Sequence, residues 1–331
     1  MLLTAGTQKK TMRAIVRRTY GSEDVLELRE IEKPAVLDDG VLVRVVATSV
    51  NPADWHTMTG TPFMARALGG LRRPKTEALG VDFAGIVEAV GPSVTGFRPG
   101  DEVYGGRSGA FAEYVCVKNA VALKPARLSF EEAAAVPIAA ITALQGLRHH
   151  GQLEPGQRVL VNGGSGGVGT FAVQIAKALG ADVTAVCSTG KVELVRSLGA
   201  DRVVDYTQED VTRSGDRYDL MLDVAGGRSW SDCTRILAPH GTYVMIGGPK
   251  VNSLVGVSIR HLAALRLARR GRKTTFFIAK LTREDLVFLN ELLESGQVTP
   301  VIDRRYELSE TAEAMRYVGE GHARGKIVIT I

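Results

Sequence analysis

One short segment limits the fold of this chain more than any other. Residues 163–169 read Gly-Gly-Ser-Gly-Gly-Val-Gly and contain GxGxxG as Gly164, Gly166 and Gly169. The match alone says little, but its flanks make it specific. An apolar strand-like run, Val159-Leu160-Val161, precedes it, and a helical pattern from Phe171 to Leu179 follows. In that setting the first glycine permits a tight turn, and the second lets a pyrophosphate approach the backbone. The third lets the helix pack against the strand, and the helix N-terminus stabilises the anion. Gly164, Ser165, Gly166, Gly167 and Val168 are therefore candidate cofactor-binding residues, with an ordinary glycine-rich turn as the alternative.

Strands and helices alternate around this loop. Strands are expected at Arg158–Asn162, Asp182–Cys187, Arg202–Val204, Leu220–Val224 and Gly241–Ile246. The intervening helices are Val168–Leu179, Val192–Leu198 and Trp230–Leu237. Such βαβ units predict an α/β fold with a doubly wound parallel sheet. Before about residue 125 the character differs, with short β segments at Arg13–Arg17, Val41–Val50, Val81–Val90, Val103-Tyr104 and Ala110–Val117, broken by Gly and Pro. That spacing predicts an all-β barrel or sandwich. Ser129-Phe-Glu-Glu132 reads as a capping box opening a helix from Glu131 to about Arg148. The chain closes with helices at Glu284–Leu293 and around Glu310–Gly319, then a strand, Lys326–Ile331, that rejoins the N-terminal β domain.

The end of the second strand of a dinucleotide fold distinguishes the cofactors. A ribose 2′-hydroxyl needs an Asp or Glu there. This chain has Val186-Cys187-Ser188-Thr189-Gly190-Lys191, while Asp182 sits at the wrong end of the strand. A hydroxyl and an ammonium suit a 2′-phosphate, and Tyr206 adds a contact after the third strand, so NADPH is the expected cofactor. A solvated first-turn lysine is the alternative for Lys191.

Composition excludes several classes. The 331 residues are 45% hydrophobic and 23% charged, which is ordinary for a globular chain. Three isolated cysteines, Cys116, Cys187 and Cys233, exclude a disulfide scaffold and fit a reducing compartment. The net charge of +5 is too small to argue for nucleic acid. The basic segment Arg260–Lys273 reads as a solvated helix face rather than a nucleic-acid surface. No apolar run has the length of a membrane span, and residues 1–11 read as a disordered lead-in, so a cytoplasmic protein is expected.

Further motifs follow one another in a familiar order: Asn51-Pro52-Ala53-Asp54, Gly80-Val81-Asp82-Phe83-Ala84-Gly85, Gly100-Asp101-Glu102-Val103, Ala112-Glu113-Tyr114, the Gly-rich loop, Gly199-Ala200-Asp201 and Gly325-Lys326-Ile327-Val328-Ile329. Over about residues 12–331 the chain resembles medium-chain dehydrogenases/reductases of the zinc-independent quinone oxidoreductase (zeta-crystallin-like) branch. The resemblance implies a GroES-like β-barrel catalytic domain split around a Rossmann domain: residues 1–132 and 281–331 for the former, 133–280 for the latter. It also places Asn51 and Thr142 near the nicotinamide and Gly247 and Gly248 along the cofactor. Trp55 and His56 then occupy a pocket position, with His56 as a proton donor and solvent as the rival source.

Zinc members of that superfamily supply a catalytic Cys and a His-Glu pair. Here Ser49-Val50-Asn51 and Val81-Asp82 stand in those places, and His56 with Asp82 falls short of the three protein ligands a catalytic site needs. No metal is expected. Hydride transfer to an electron-poor quinone or enone follows, since conjugation spreads the incoming charge. The alternatives are a metal-free carbonyl or alcohol dehydrogenase, or a non-catalytic NADPH-binding protein with a nucleic-acid or partner-binding role. Finally, Lys273-Thr-Thr-Phe-Phe-Ile-Ala279 reads as a sixth strand at the sheet edge, uncharged between Lys273 and Lys280, and predicts a homodimer paired through residues 274–279.

Overall fold

The computed structural model describes residues 10–61, 66, 69–246 and 272–331. Gly247, Gly248, the helix expected around Ile259–Ala268 and nearly all of the basic segment from Arg260 lie outside the described residues.

The N-terminal part is built on a sheet of antiparallel strands. After the hairpin β1 (Thr11–Val16) and β2 (Glu27–Glu32) come β3 (Val41–Val50), β4 (Asp82–Val90), β5 (Glu102–Gly106), β6 (Tyr114–Val117) and β7 (Val121–Leu123). The expected strand Ala110–Val117 is thus confined to its second half, because Phe111 is drawn inward as a fully buried side chain outside the ladder. Between β3 and β4 lies helix α1 (Pro52–Thr59), with Pro52 at its first position, where a missing N–H costs nothing.

The expected capping box is present: Ser129 Oγ accepts from the Glu132 N–H, and the Glu132 carboxylate accepts from the Ser129 N–H. The helix it opens does not run to Arg148. It ends as α2 (Phe130–Ala134), and α3 (Pro137–Leu144) starts afresh, because Pro137 cannot continue the hydrogen-bond ladder. A π-helical turn, Gln145–His150, follows.

Then comes the alternating region: β8 (Arg158–Asn162), α4 (Gly167–Ala178), β9 (Asp182–Cys187), α5 (Val192–Ser197), β10 (Arg202–Asp205), β11 (Tyr218–Asp223), α6 (Trp230–Ile236), β12 (Leu237–Met245) and β13 (Lys273–Phe276). These strands form a six-stranded sheet in the order β10-β9-β8-β11-β12-β13, and every pairing in it is parallel. The chain ends with α7 (Arg283–Glu294), β14 (Ile302–Glu307), α8 (Thr311–Glu320) and β15 (Lys326–Thr330). β15 pairs antiparallel with β3 and parallel with β14, so the C-terminus completes the sheet begun near the N-terminus.

The largest core packs α3 and α4 onto the parallel sheet, with Ile141, Leu144, Phe171, Val173 and Ile175 buried among Val159, Val161, Val183 and Leu222. Helix α3 has to carry apolar residues nearly all round, because it is buried on almost every side. A separate core places Met58 of α1 with Ala314 and Met315 of α8 and Ile327 and Ile329 of β15. The closing strand thereby connects the two halves beside the cofactor loop.

Candidate active site

The Gly-rich loop turns as its glycines dictate. Gly163 has φ +95°, a left-handed conformation in which a Cβ would also press on Ala225. At Gly169 a Cβ would lie 2.0 Å from the Gly163 carbonyl oxygen, so any side chain there would push α4 off the loop. Gly166 differs: its backbone is extended, φ −85° and ψ 177°, and a Cβ would meet nothing nearer than 3.9 Å. Nothing within the chain demands glycine at 166. The open space beside it faces the N-terminus of α4, which is what close approach of a diphosphate requires.

This loop lines a cleft of about 370 Å³. Of the cofactor candidates, Asn51, Ser165, Gly166, Gly167, Val168, Ser188, Lys191 and Tyr206 all line it. Apolar wall comes from Val50, Ala139, Val224, Val318 and Ile327. Ser188 stands at the start of the short turn leading to Lys191, and Tyr206 leaves β10 with 59% of its surface exposed. Lys191 is not a free surface lysine. Its Nζ donates to the carbonyls of His322 and Ala323, each at 3.2 Å, so it joins the cofactor end of β9 to the loop before β15. Burial, together with nearby Arg324, holds its ammonium below the usual lysine range.

Gly164 and Thr142 sit just behind the cleft wall. Gly164 donates its N–H to Val186 O at 2.9 Å, closing the turn from behind. Thr142 is buried and spends its hydroxyl proton on Ile138 O, one helical turn back at 2.6 Å. Trp55 and His56 are also not among the lining residues. Trp55 packs against α8, where a Cβ on Gly319 would lie 2.4 Å from its Nε1. His56 Nδ1 lies 2.6 Å from Thr61 O, and since a carbonyl only accepts, the ring proton sits on Nδ1.

At the other end of the cleft is a polar cluster. Asp82, fully buried at the start of β4, accepts from Ser49 Oγ at 2.7 Å, from Asn51 Nδ2 at 2.8 Å and from the Ile138 N–H at 2.9 Å. That last bond satisfies one of the orphan donors in the first turn of α3. Lys326 Nζ completes the set, donating to Asn51 Oδ1 at 2.5 Å and to Asp82 at 3.4 Å. The Asn51 carboxamide is thus held at both ends, amide to carboxylate and oxygen to ammonium. Asp54, also buried, accepts from the Asn51 N–H at 2.8 Å. Burial pushes its carboxyl up to about 7, against the opposing pull of that hydrogen bond.

Lys326, Ser49 and Asp54 carry no motif in the sequence that points to a role in this cluster. One signal was available for Lys326: a lysine opening the otherwise apolar strand Lys-Ile-Val-Ile has to find an anion inside or turn outward. Nor does a motif mark Asn162 and Asp223. They bond to one another at 2.7 Å across the carboxyl ends of β8 and β11, beneath the loop, with Tyr243 Oη on the second Asp223 oxygen. Among the described residues, no helix is long and apolar enough to cross a membrane, and no group of three acidic, His or Cys side chains converges on a point that would suit a metal.

Known proteins resemble the chain in both halves. The family described as "Alcohol dehydrogenase GroES-like domain" matches residues 37–126, and "Zinc-binding dehydrogenase" matches residues 198–329. The chain is 36% identical to 2-methylene-furan-3-one reductase of Solanum lycopersicum, covering 96% of this chain and 79% of that protein. It is 35% identical to the NADPH-dependent alkenal/one oxidoreductase, chloroplastic, of Arabidopsis thaliana, covering 97% and 80%. Among solved structures, the quinone oxidoreductase from Coxiella burnetii superposes with a TM-score of 0.85 at 29% identity, covering 97% of this chain and all of that one. With a glycine-rich cleft between a parallel sheet and a GroES-like barrel, the chain belongs to the quinone oxidoreductase branch of the medium-chain dehydrogenase/reductase superfamily.

Proposed function

We propose that this oxidoreductase transfers hydride from NADPH to a quinone or an α,β-unsaturated carbonyl, without a metal. The observation that carries the reading is the closed cluster at the acceptor end of the cleft. The Asp82 carboxylate is committed to the Ser49 hydroxyl, the Asn51 amide, the Ile138 N–H and the Lys326 ammonium. A bound cation would have to displace Lys326 from a buried pair. A saturated ketone or alcohol needs such polarisation, whereas a conjugated acceptor spreads the charge itself.

The dinucleotide supplies the hydride when bound. The chain's own part is to hold and orient. Gly166 leaves room for a diphosphate at the α4 N-terminus, and Ser188, Lys191 and Tyr206 line the same cleft, a set of hydroxyl and ammonium groups that suits a 2′-phosphate. The fixed Asn51 carboxamide and the apolar wall of Val50, Ala139 and Val224 restrict the planar partners and exclude water from their contact. His56, aimed at Thr61 and set apart from the cleft lining, leaves solvent at the cleft mouth as the proton source. The same reading divides the chain into residues 1–132 with 281–331 as catalytic domain and 133–280 as cofactor domain.

An acceptor panel tests the proposal. NADPH oxidation is expected with 1,4-benzoquinone and 2-alkenals, and none with saturated ketones. Tight NADPH binding with no turnover on any conjugated acceptor overturns it.

A further inference from the structure

We propose that Arg17 is the centre of a second anion site, apart from the dinucleotide loop, that takes an oxyanion group: a carboxylate or a phosphate. Arg17 leaves the end of β1 with only 2% of its surface exposed. Its backbone N–H is satisfied by Glu77 O at 2.9 Å, but its side-chain Nε and Nη1 have no hydrogen-bond partner. A buried guanidinium left in this state is among the costliest arrangements a fold can carry. Burial lowers its pKa from the usual arginine value, and no carboxylate among the described residues offsets this. Glu77, whose backbone oxygen accepts from Arg17, is exposed and turns its carboxylate to Arg18 at 3.9 Å.

A second guanidinium shares the place. The Tyr20 ring lies 5.1 Å from Arg17 Cζ and 4.8 Å from Arg66 Cζ. Cation–π contact offsets part of the burial cost but does nothing for two like charges over one ring. The frame around them is ordered by its own bonds: Tyr20 Oη donates to Gly70 O at 2.7 Å, and Arg66 Nε donates to Gly60 O at 3.1 Å. Arg72, Arg73 and Lys75, all exposed, follow directly in the chain and add to the positive field. A buried guanidinium with unpartnered donors, a second, half-buried guanidinium beside it, a positive approach and no carboxylate paired with Arg17 are the properties of a site whose anion comes from outside. An oxyanion matches guanidinium donors better than a halide, because its several lone pairs can meet more than one N–H.

The site sits at the far end of α1, the helix that begins beside Asn51 in the cleft; Gly21 N–H bonds Met58 O there, and Gly60 ends the helix. Eight residues of helix span about 12 Å, a distance that the tail of an acceptor can bridge. The oxyanion is therefore either the acidic tail of the acceptor, which rests on the proposed reductase activity, or a separate small anion, which does not.

Thermal unfolding of the NADP⁺-saturated chain, titrated with inorganic phosphate and with acetate, tests the site while the dinucleotide loop is filled. A saturable rise in midpoint is expected with at least one probe, about 3 °C at ten times its Kd, absent in Arg17→Met and weakened in Arg66→Met. Arg17→Met should fold, since it removes an unpaired cation and keeps the apolar stem; Arg66→Met serves should it not. No saturable rise in the unaltered chain, or an equal rise in every variant, overturns the site. Kinetics then distinguish the sources. A tenfold kcat/KM preference for 4-oxopent-2-enoate over its methyl ester, lost in Arg17→Met, identifies the acceptor's carboxylate as the occupant. Equal values, with the midpoint rise intact, assign the site to a free oxyanion. Turnover of neither enone nor of 1,4-benzoquinone, with that rise intact, overturns the reductase reading and leaves the anion site standing.

Discussion

Lys326 Nζ lies 3.4 Å from Asp82 Oδ2 with side chains only 3% and 0% exposed, joining the last strand of the chain to β4 across a sequence separation of 244 residues. Asp82 is also bonded to Ser49, to Asn51 and to the first turn of α3. One carboxylate thus aligns the barrel strands, the closing strand and the helix that leads into the parallel sheet. A buried pair of this kind contributes little relative to a well-packed apolar pair, but it is costly to break from one side.

That asymmetry gives the first prediction. Lys326→Met leaves Asp82 charged and uncompensated, and should lower unfolding free energy by about 3–5 kcal/mol. Asp82→Asn should cost a similar amount by stranding Lys326. The double variant should lose clearly less than the sum, because each change removes the other's penalty. Urea unfolding of the four proteins measures this, and strictly additive losses would show that the two groups are not coupled.

Metal content follows from the same cluster. Elemental analysis of purified protein should find zinc well below one equivalent, and a chelator should leave quinone turnover unchanged. Stoichiometric zinc with chelator-sensitive activity would mean that Lys326 leaves the pair to admit a metal at Asp82.

Cofactor choice rests on the group at the end of β9. NADPH should bind at least tenfold more tightly than NADH, and Lys191→Glu should weaken NADPH by on the order of 1.4 kcal/mol or more. Lys191 also holds the His322 and Ala323 carbonyls, so the variant loosens the loop before β15 as well. Loosening alone would weaken both dinucleotides equally. Fluorescence titrations with each separate the two effects, and equal affinity of the unaltered protein for both would sink the assignment.

Asp54 sets a pH dependence. Its carboxyl is raised from an ordinary 3.8 to about 7, first by burial and further by the charge of Asp82. The folded chain therefore holds this proton more tightly than the unfolded chain does. Its contribution to stability is fully present below about pH 4, falls as pH rises from about 4 to 7, and is flat above. The full span is worth on the order of 4 kcal/mol. Asp54→Asn keeps an acceptor for the Asn51 N–H but cannot ionise, so it should lose less stability than the unaltered chain between pH 5 and pH 7.5. Parallel slopes for the two proteins in denaturant melts at several pH values would disprove the shift.

Where pattern and chemistry are local, the sequence was readable. The β-branched run Val41–Val50 and the buried strand Arg158–Asn162 have the expected bounds, and Ser129 with Glu132 forms its reciprocal cap. The failures are also physical. β2 (Glu-Leu-Arg-Glu-Ile-Glu) is mostly exposed and β14 (Ile-Asp-Arg-Arg-Tyr-Glu) buries only Tyr306, so neither carries the apolar alternation that marks a strand. Pro137 lies inside an alanine-rich run whose helical pattern hides the break, although its ring divides α2 from α3. The cofactor loop was legible because its glycines are contiguous, whereas Asp82 and Lys326 become partners only through strand order. No spacing rule connects residues so far apart.

The last prediction concerns assembly. β13 pairs only with β12 among the described residues, so its other edge presents unpaired backbone donors and acceptors. The expected strand to Ala279 ends at Phe276; Phe276 itself and Ile278 just beyond it are 56% and 73% exposed, an unusual cost for large apolar side chains at an edge whose one charge is Lys273. Two-fold pairing with the same edge of a second chain would complete the ladder and cover both side chains, and the symmetry would close the assembly at two. Light scattering should find a dimer of the 35.5 kDa chain at micromolar concentration. Thr275→Pro removes a backbone N–H from the strand, and Phe276→Lys places a charge on it, so each should shift the protein toward monomer without loss of the parallel sheet. A monomer in the unaltered protein refutes the pairing, and a dimer that survives both substitutions refutes this edge as its seam.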